Sequence, residues 1–81
     1  MYCVYIIQSQ KNHKIYIGST KALVNRLQLH NSGKVRSTKP YIPWKIVYYE
    51  AFNKEYLAKI REKKLKYHGK ALQELKKRIG L

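Results

Sequence analysis

Acidic residues are scarce in this 81-residue sequence, and aspartate is absent. Four glutamates stand against 18 lysines and arginines, which gives a formal net charge of +14. A charge of this size favours a polyanionic partner, because each phosphate that a cation neutralises releases condensed counterions. Nucleic acid is favoured over a membrane surface, since no segment is amphipathic enough to lie on a bilayer.

Cysteine and long apolar runs are also scarce. The single cysteine, Cys3, excludes an internal disulfide and a cysteine-rich zinc site. The first ten residues have no charged lead and only a short apolar stretch, which does not fit a secretory signal peptide. No run approaches the roughly 18 apolar residues that indicate a membrane span. We therefore expect a cytoplasmic protein with no membrane partner.

The composition is otherwise that of a folded protein. Hydrophobic residues make up 44% of the chain, an ordinary fraction for a globular domain. The length suffices for one domain, residues 1–81, and a domain of this size buries only about 60% of the surface that its unfolded chain exposes. We therefore expect a single domain with a lean core.

Two short apolar runs near the start predict a hairpin. Tyr2 to Ile7 is rich in β-branched and aromatic residues, which favour a buried strand. After a polar stretch comes a second run, Ile15 to Ile17, ended by Gly18. Two strands joined by a polar connection are typical of an antiparallel pair.

A third strand is predicted from Trp44 to Phe52, with Ile46 and Tyr48 on the same face because side chains alternate along a strand. Three strands cannot shield themselves from water, so helices must cover at least one sheet face. We therefore predict an α+β fold with a small three-stranded antiparallel sheet flanked by helices.

A capping residue followed by a helical repeat predicts the first helix. Ser19 or Thr20 is the expected cap of a helix that begins near Lys21, and Asn31–Gly33 is expected to end it. Residues at i, i+4 and i+7 would form one face of this helix. They are Leu23, Leu27 and His30.

Two further helices complete the predicted order β-β-α-β-α-α. Asn53 is a suitable cap for a helix from Lys54 to about Tyr67. His68-Gly69 interrupts the pattern, and a final basic helix runs from about residue 70 to 79. The core of the domain would then span about residues 2–68.

Several short segments, met in a fixed order along the chain, carry a family resemblance. They are Cys3–Tyr5, Tyr16–Gly18, Arg26 with His30–Asn31, Val47–Glu50 and Arg61–Lys63. Together they resemble the GIY-YIG nuclease superfamily, and in particular its small stand-alone proteins of bacterial type. Two departures stand out. The first motif has Cys-Val before its tyrosine instead of Gly-Ile, and Ser19 lies where some relatives carry a lysine.

The resemblance implies a metal-dependent endonuclease that cleaves DNA phosphodiesters, with a role in DNA repair or recombination. It implies a tyrosine base, and of Tyr5 and Tyr16 we favour Tyr5. Arg26 offers a planar fork for two phosphoryl oxygens. His30 would protonate a leaving oxygen or contact phosphate. Glu62 would hold Mg²⁺ or Mn²⁺, since one carboxylate with substrate phosphate and retained water is enough for such an ion.

Glu62 has the most informative position of the four acids. A helical projection places it at the apolar edge of its helix, near Ala58 and Leu65. A carboxylate near a buried surface needs a partner, and a divalent cation is a suitable one. An ion pair with a neighbouring lysine or arginine is the alternative, because the chain is so basic.

Further residues are predicted to hold the nucleic-acid backbone without reading its sequence. They are Asn31, Lys34, Arg36, Thr38, Lys39, Lys63 and Lys66.

The alternative to a nuclease is a non-catalytic DNA- or RNA-binding module with the same fold. A protein partner or a second copy of the chain would be needed for precise substrate choice, and the sequence leaves both open.

Overall fold

The computed structural model describes all 81 residues. It contains three strands, three α-helices and one short 3₁₀ turn at Lys39–Tyr41. The strands are β1 (Tyr2–Ser9), β2 (Ile15–Thr20) and β3 (Trp44–Phe52), and the helices are α1 (Leu23–Asn31), α2 (Glu55–Tyr67) and α3 (Gly69–Ile79). The order β-β-α-β-α-α and the α+β class confirm the prediction from sequence.

The sheet is antiparallel, with β1 in the centre and β2 and β3 at the two edges. The predicted hairpin of β1 and β2 is confirmed, but β2 does not end at Gly18. Gly18 stays paired with Tyr5, and Ser19 with Val4, so the strand continues to Thr20. This extension leaves Ser19 on a strand and directs its side chain to a sheet face.

Helices cover both faces of the sheet. On one face, α2 and α3 enclose the larger core cluster. It consists of Val4, Ile6, Ile17, Ala58, Leu65 and Leu75. On the other face, α1 and the segment before β3 pack against Tyr5, Ile7 and Trp44. Alternation along β1 therefore separates Tyr5 from the aliphatic core and places it on the α1 face.

The third strand has the predicted bounds but not the predicted faces. A register shift lies between Ile6 and Ile7 where they meet β3, so that Ile6 pairs with Tyr48 and Ile7 with Ile46. Tyr48 packs against the larger cluster and Ile46 against the α1-side cluster. The expectation that Ile46 and Tyr48 share a face is wrong, because the extra residue of the bulge reverses the alternation.

The predicted helix caps are also wrong. Helix α1 begins at Leu23 after Ala22, and Thr20 instead accepts a hydrogen bond from the Ala22 amide at 3.1 Å. Helix α2 begins after Lys54, whose side chain makes no capping hydrogen bond because an ammonium cannot accept one.

None of the three helices has both the length and the apolar character needed to cross a bilayer.

Candidate active site

Tyr5 lies against the backbone of Gly18 at the centre of the α1 face. The two residues are opposite each other on β1 and β2, and Tyr5 is buried. A Cβ atom placed on Gly18 would overlap the Tyr5 hydroxyl and lie 2.6 Å from its Cζ. Only glycine therefore lets the phenol ring lie across β2, and this close approach fixes where the Tyr5 hydroxyl points.

Gly18→Ala should therefore displace the Tyr5 ring. We expect about 1–3 kcal/mol of lost stability from the overlap, as for other overpacked interiors. A nuclease reaction that uses the Tyr5 hydroxyl should slow by at least about tenfold. A reacting group that is misplaced by about 1 Å can lower a reaction rate by about 10²-fold. Thermal unfolding and cleavage rates on the same preparations test this. Gly69→Ala is the matched control, because nothing lies within 4 Å of a Cβ at that position. Equal activity of both variants would contradict the placement.

His30 is fully buried behind Tyr5. Its Nε2 atom lies 2.9 Å from the Tyr5 hydroxyl, and its Nδ1 atom lies 2.8 Å from Thr38 Oγ1. The Tyr16 ring completes the enclosure, with its centroid 4.9 Å from that of His30 in an edge-on arrangement. His30 therefore lies on the packed face of α1 that its spacing from Leu23 predicts, and it contacts both tyrosines. It has no exposed surface for a direct contact with phosphate.

The hydrogen-bond network assigns the protons of this group. The Thr38 hydroxyl donates to the Val35 carbonyl at 3.3 Å, so His30 Nδ1–H is the donor toward Thr38 Oγ1. A neutral imidazole carries one proton, which leaves Nε2 as an acceptor. Tyr5 therefore donates its hydroxyl proton to His30, and its lone pairs face away from the imidazole.

Burial, followed by the charge of Arg26, lowers the pKa of His30 below its usual value of 6.5. The unfolded chain therefore binds one more proton than the folded chain between the lowered pKa and 6.5. The associated stability is complete above 6.5 and is lost as the pH falls through the lowered pKa. The melting temperature should fall from about pH 7 to about pH 5.5.

Circular dichroism melting curves at constant ionic strength measure this effect. The control is the double variant His13→Gln/His68→Gln, which removes the two exposed histidines and should show the same fall. A melting temperature that stays constant over this range would rule out a buried neutral His30.

Arg26 lies on α1 beside the two tyrosines. The neighbouring Tyr5 oxygen raises the pKa of Arg26, burial opposes this, and the Tyr16 oxygen contributes in the same direction as Tyr5. Its Nε atom is buried and has no hydrogen-bond partner in the protein. A buried N–H without a partner costs about 1–3 kcal/mol, and more for a charged group. A shift of the half-buried Arg26 side chain that brings this N–H to an acceptor would therefore be favoured.

Tyr5 is held as a neutral phenol. Burial raises its pKa above the usual value of 10.0, whereas the neighbouring Arg26 guanidinium lowers it to a smaller extent. The nearby Arg26 therefore does not convert Tyr5 to a phenolate in the free protein. The negative charge of Glu62 also raises the Tyr5 pKa, which places this carboxylate within electrostatic reach of the tyrosine.

Glu62 lies on α2 and contacts the edge strand β2. Its Oε1 atom accepts a hydrogen bond from Ser19 at 2.6 Å, and Oε2 pairs with Lys66 at 2.8 Å, with 17% of the side chain exposed. Burial alone would raise the pKa of Glu62, but the hydrogen bonds from Lys66 and Ser19 outweigh it and lower the pKa. The carboxylate is therefore ionised at neutral pH.

The donor set around Glu62 is compatible with a hard cation. No group of three or more acidic, histidine or cysteine side chains exists, so no cage of protein ligands can form. A single ionised carboxylate suits Mg²⁺ or Mn²⁺, which retain water and take further oxygens from substrate phosphate. Lys66 pairs with the same carboxylate, so a metal ion would have to displace its ammonium from Oε2.

The open edge of β2 brings the two sides of the site together. Tyr16 reaches this edge from the α1 face, and Glu62 reaches it from the α2 face through Ser19. Lys66 connects the two, because its Nζ atom lies 2.8 Å from Glu62 and 5.9 Å from the centroid of the Tyr16 ring. Tyr16 and Glu62 thus meet at this edge through Lys66, and Tyr5, Arg26 and His30 lie next to Tyr16 on the α1 face.

The predicted backbone-binding residues do not form one surface. Lys34, Arg36 and Lys39 are exposed in the segment between α1 and β3, where they are available to phosphate. Lys63 lies elsewhere, in a shallow groove on the outer side of α2 with Ile60. Lys66 is held by Glu62 at the site itself.

Of the predicted phosphate contacts, Thr38 does not fit its placement, and Asn31 is engaged with the backbone of Trp44. Thr38 is only 1% exposed, and its hydroxyl is used by His30 and Val35. The Asn31 side chain bonds both the amide of Trp44 at 2.7 Å and its carbonyl at 2.9 Å. The exposed Asn31 braces the start of β3, and the buried Thr38 holds His30 in place.

Two polar residues near Glu62 were not predicted as part of the site. Ser19 binds Glu62 directly, and Lys59 donates a hydrogen bond to Ser19 at 3.1 Å. Lys59 lies three positions before Glu62 on α2, so helical spacing alone would have placed it on the same face. Nothing in the sequence indicates that Ser19 faces α2, because that depends on the register of β2.

A family model described as the GIY-YIG catalytic domain matches residues 1–78 of the chain. The chain therefore belongs to the GIY-YIG family, which confirms the resemblance found in its sequence. Comparisons with curated proteins and with solved structures gave no match. Family membership establishes a nuclease-type function in general, with nucleic acid as substrate, and GIY-YIG nucleases typically depend on a divalent metal.

Proposed function

We propose that this chain is an endonuclease that hydrolyses DNA phosphodiester bonds with Mg²⁺ or Mn²⁺, in DNA repair or recombination. The observation that carries the proposal is the buried, unpartnered Nε of Arg26, which lies beside the hydroxyls of Tyr5 and Tyr16. A phosphoryl oxygen is the natural acceptor for the half-buried Arg26 guanidinium, because a guanidinium binds phosphate through parallel hydrogen bonds. A phosphate held there would lie next to both tyrosines.

The proposed reaction is an attack by water on the phosphorus atom. The new bond joins the water oxygen to phosphorus, and the bond from phosphorus to one ester oxygen breaks. One water proton passes to the Tyr5 oxygen while the Tyr5 proton passes to His30 Nε2. The departing oxygen takes a proton from solvent. Tyr16 would order the water or hydrogen-bond the phosphate.

His30 thus serves as the final proton acceptor rather than as a direct contact to the leaving group. Its low pKa in the free protein arises from burial and then from the Arg26 charge. A bound phosphate would offset the effect of the Arg26 charge on the His30 pKa, because the negative charge of the phosphate lies against the Arg26 guanidinium. Substrate binding would therefore make His30 a better proton acceptor at the moment when the reaction requires one.

Glu62 would hold the divalent cation, with Ser19 fixing the orientation of the carboxylate. When bound, such a cation supplies Lewis-acid stabilisation of the charge that develops on the phosphoryl and leaving oxygens. Lys66 would exchange its contact with Glu62 for one with the nucleic acid. Arg26 stabilises the same charge from the α1 side, where it is already in place before substrate arrives.

A second candidate function is a nucleic-acid-binding module without catalysis. The observation that favours it is the ion pair of Lys66 with Glu62, which occupies the carboxylate expected to hold the metal. Such a module would bind DNA or RNA with a steep dependence on salt and without turnover.

The experiment that separates the two uses a panel of labelled substrates with Mg²⁺, Mn²⁺ or chelator. The panel contains duplex, branched and single-stranded DNA together with structured RNA. We expect metal-dependent cleavage of at least one DNA substrate and none in chelator. Salt-sensitive binding without cleavage of any substrate would establish the binding module, and cleavage of RNA alone would refute the assignment of DNA as substrate.

A further inference from the structure

A small cavity of about 80 Å³ adjoins the candidate active site on the α2 side of β2. Its polar wall is formed by the end of β2 and the first half of α2. The polar side chains that line it are Ser19, Thr20, Lys21, Glu55 and Lys59. Ser19 is shared by the cavity and the candidate active site, because it lines the cavity and also donates a hydrogen bond to Glu62 at 2.6 Å.

The charges at this cavity favour an anion. Lys59 and Lys21 supply two positive charges, and Glu55 supplies one negative charge. The Lys59 Nζ atom is fixed at 3.1 Å from Ser19 Oγ, and Lys21 Nζ lies 5.4 Å from the centroid of the Tyr2 ring. Neither lysine forms an ion pair with Glu55 or with any other carboxylate, although Lys59 lies within electrostatic reach of Glu62.

The hydrogen-bond donors at the cavity also suit a phosphate group. Lys59 uses one N–H on Ser19, which leaves two for a ligand. Thr20 Oγ1 accepts a bond from the Ala22 amide, so its hydroxyl proton is free to donate. Ser19 has no proton to offer, because its own goes to Glu62. The ligand that fits is therefore an acceptor with several oxygens and negative charge.

We propose that this cavity is a second phosphate subsite, which binds the backbone phosphate next to the one being cleaved. The proposal rests on the proposed nuclease function, because Arg26 and Glu62 define where the reacting phosphate lies. Ser19 makes the two positions adjacent by connecting Lys59 to Glu62. Occupation of the subsite holds the strand in register, and Lys59 and Lys21 are the residues that bind it.

The test uses thymidine 3′,5′-bisphosphate, which carries two phosphates on one nucleoside, and thymidine 5′-monophosphate. Calorimetry or NMR titration without divalent metal gives both affinities. We expect the wild-type protein to bind the bisphosphate about tenfold more tightly than the monophosphate, because the second phosphate makes one further charge-assisted contact. The ratio of the two affinities is therefore about ten. Lys59→Gln, and separately Lys21→Gln, should reduce this ratio to near one. The matched control Lys77→Gln changes an exposed lysine on α3 and should keep the ratio.

A ratio near one in the wild-type protein, or a ratio that both variants retain, would overturn the subsite. Because the measurement needs no turnover, its outcome is separate from that of the cleavage panel. Loss of the ratio in the variants without any cleavage by the wild type would support a phosphate site in the cavity and refute the nuclease. Cleavage by a wild type whose ratio is near one would refute the subsite alone.

Discussion

Glu62→Gln should lower metal-dependent DNA cleavage by about 10³-fold or more, while nucleic-acid binding stays within about twofold of the wild type. Glu62 is the one ionised carboxylate at the strand edge where the tyrosines lie, so no other side chain can take over its charge. Glutamine has nearly the same shape and can still accept the hydrogen bond from Ser19. The change therefore removes the charge and leaves the packing in place.

The measurement is single-turnover cleavage over a range of Mg²⁺ or Mn²⁺ concentrations, together with a binding titration in chelator. Glu74→Gln is the matched control, because Glu74 is exposed on α3 and makes no ion pair. The control should cleave like the wild type. Undiminished cleavage by the Glu62 variant would exclude a metal role for this residue, and tighter metal binding in the variant would do the same.

Tyr5→Phe should reduce cleavage by about 10²–10⁴-fold, the range over which a positioned proton acceptor contributes. Phenylalanine keeps the ring that lies against Gly18 but removes the oxygen that bonds His30 at 2.9 Å. The lost hydrogen bond leaves His30 Nε2 buried without a partner, which should cost about 1–3 kcal/mol in stability. Cleavage must therefore be measured well below the melting temperature of the variant.

Tyr49→Phe is the control for this change, since Tyr49 is the residue opposite Tyr5 on β3 and its side chain is exposed. It should leave cleavage unchanged. Tyr16→Phe distinguishes the two candidate bases, and we expect a smaller loss from it than from Tyr5→Phe. A larger loss from Tyr16→Phe would reverse the proposed roles of the two tyrosines.

The chain elements follow from local patterns. Strands β1 and β3 are runs of β-branched and aromatic residues, and α1 and α2 show helical repeats, so their presence and order are predictable. The end of β2 is not, because Gly18 continues the strand through pairing with Tyr5. The faces of β3 are not either, because the bulge beside Ile6 and Ile7 turns Ile46 to the other face. Both outcomes depend on a neighbouring strand that no local pattern describes.

In the candidate site too, some features follow from local sequence patterns and others depend on distant contacts. Tyr5, Tyr16, Arg26, His30 and Glu62 are recognisable from motif order, and the position of Glu62 at the apolar edge of α2 follows from helical geometry. The burial of Thr38 and the role of Ser19 do not follow from sequence. Each depends on side chains distant along the chain, Thr38 on His30 and Ser19 on Glu62.

The amino-acid sequence by itself determined the family, the α+β element order and the strong positive charge that favours a polyanion. These properties come from composition, local periodicity and motifs, which need no knowledge of distant contacts. Only the tertiary structure decided that His30 is buried behind Tyr5, that Arg26 keeps an unpartnered N–H, and that Lys59 reaches Ser19. The physical reason is that hydrogen bonding and burial depend on which elements pack together, and the order of residues does not specify those distances.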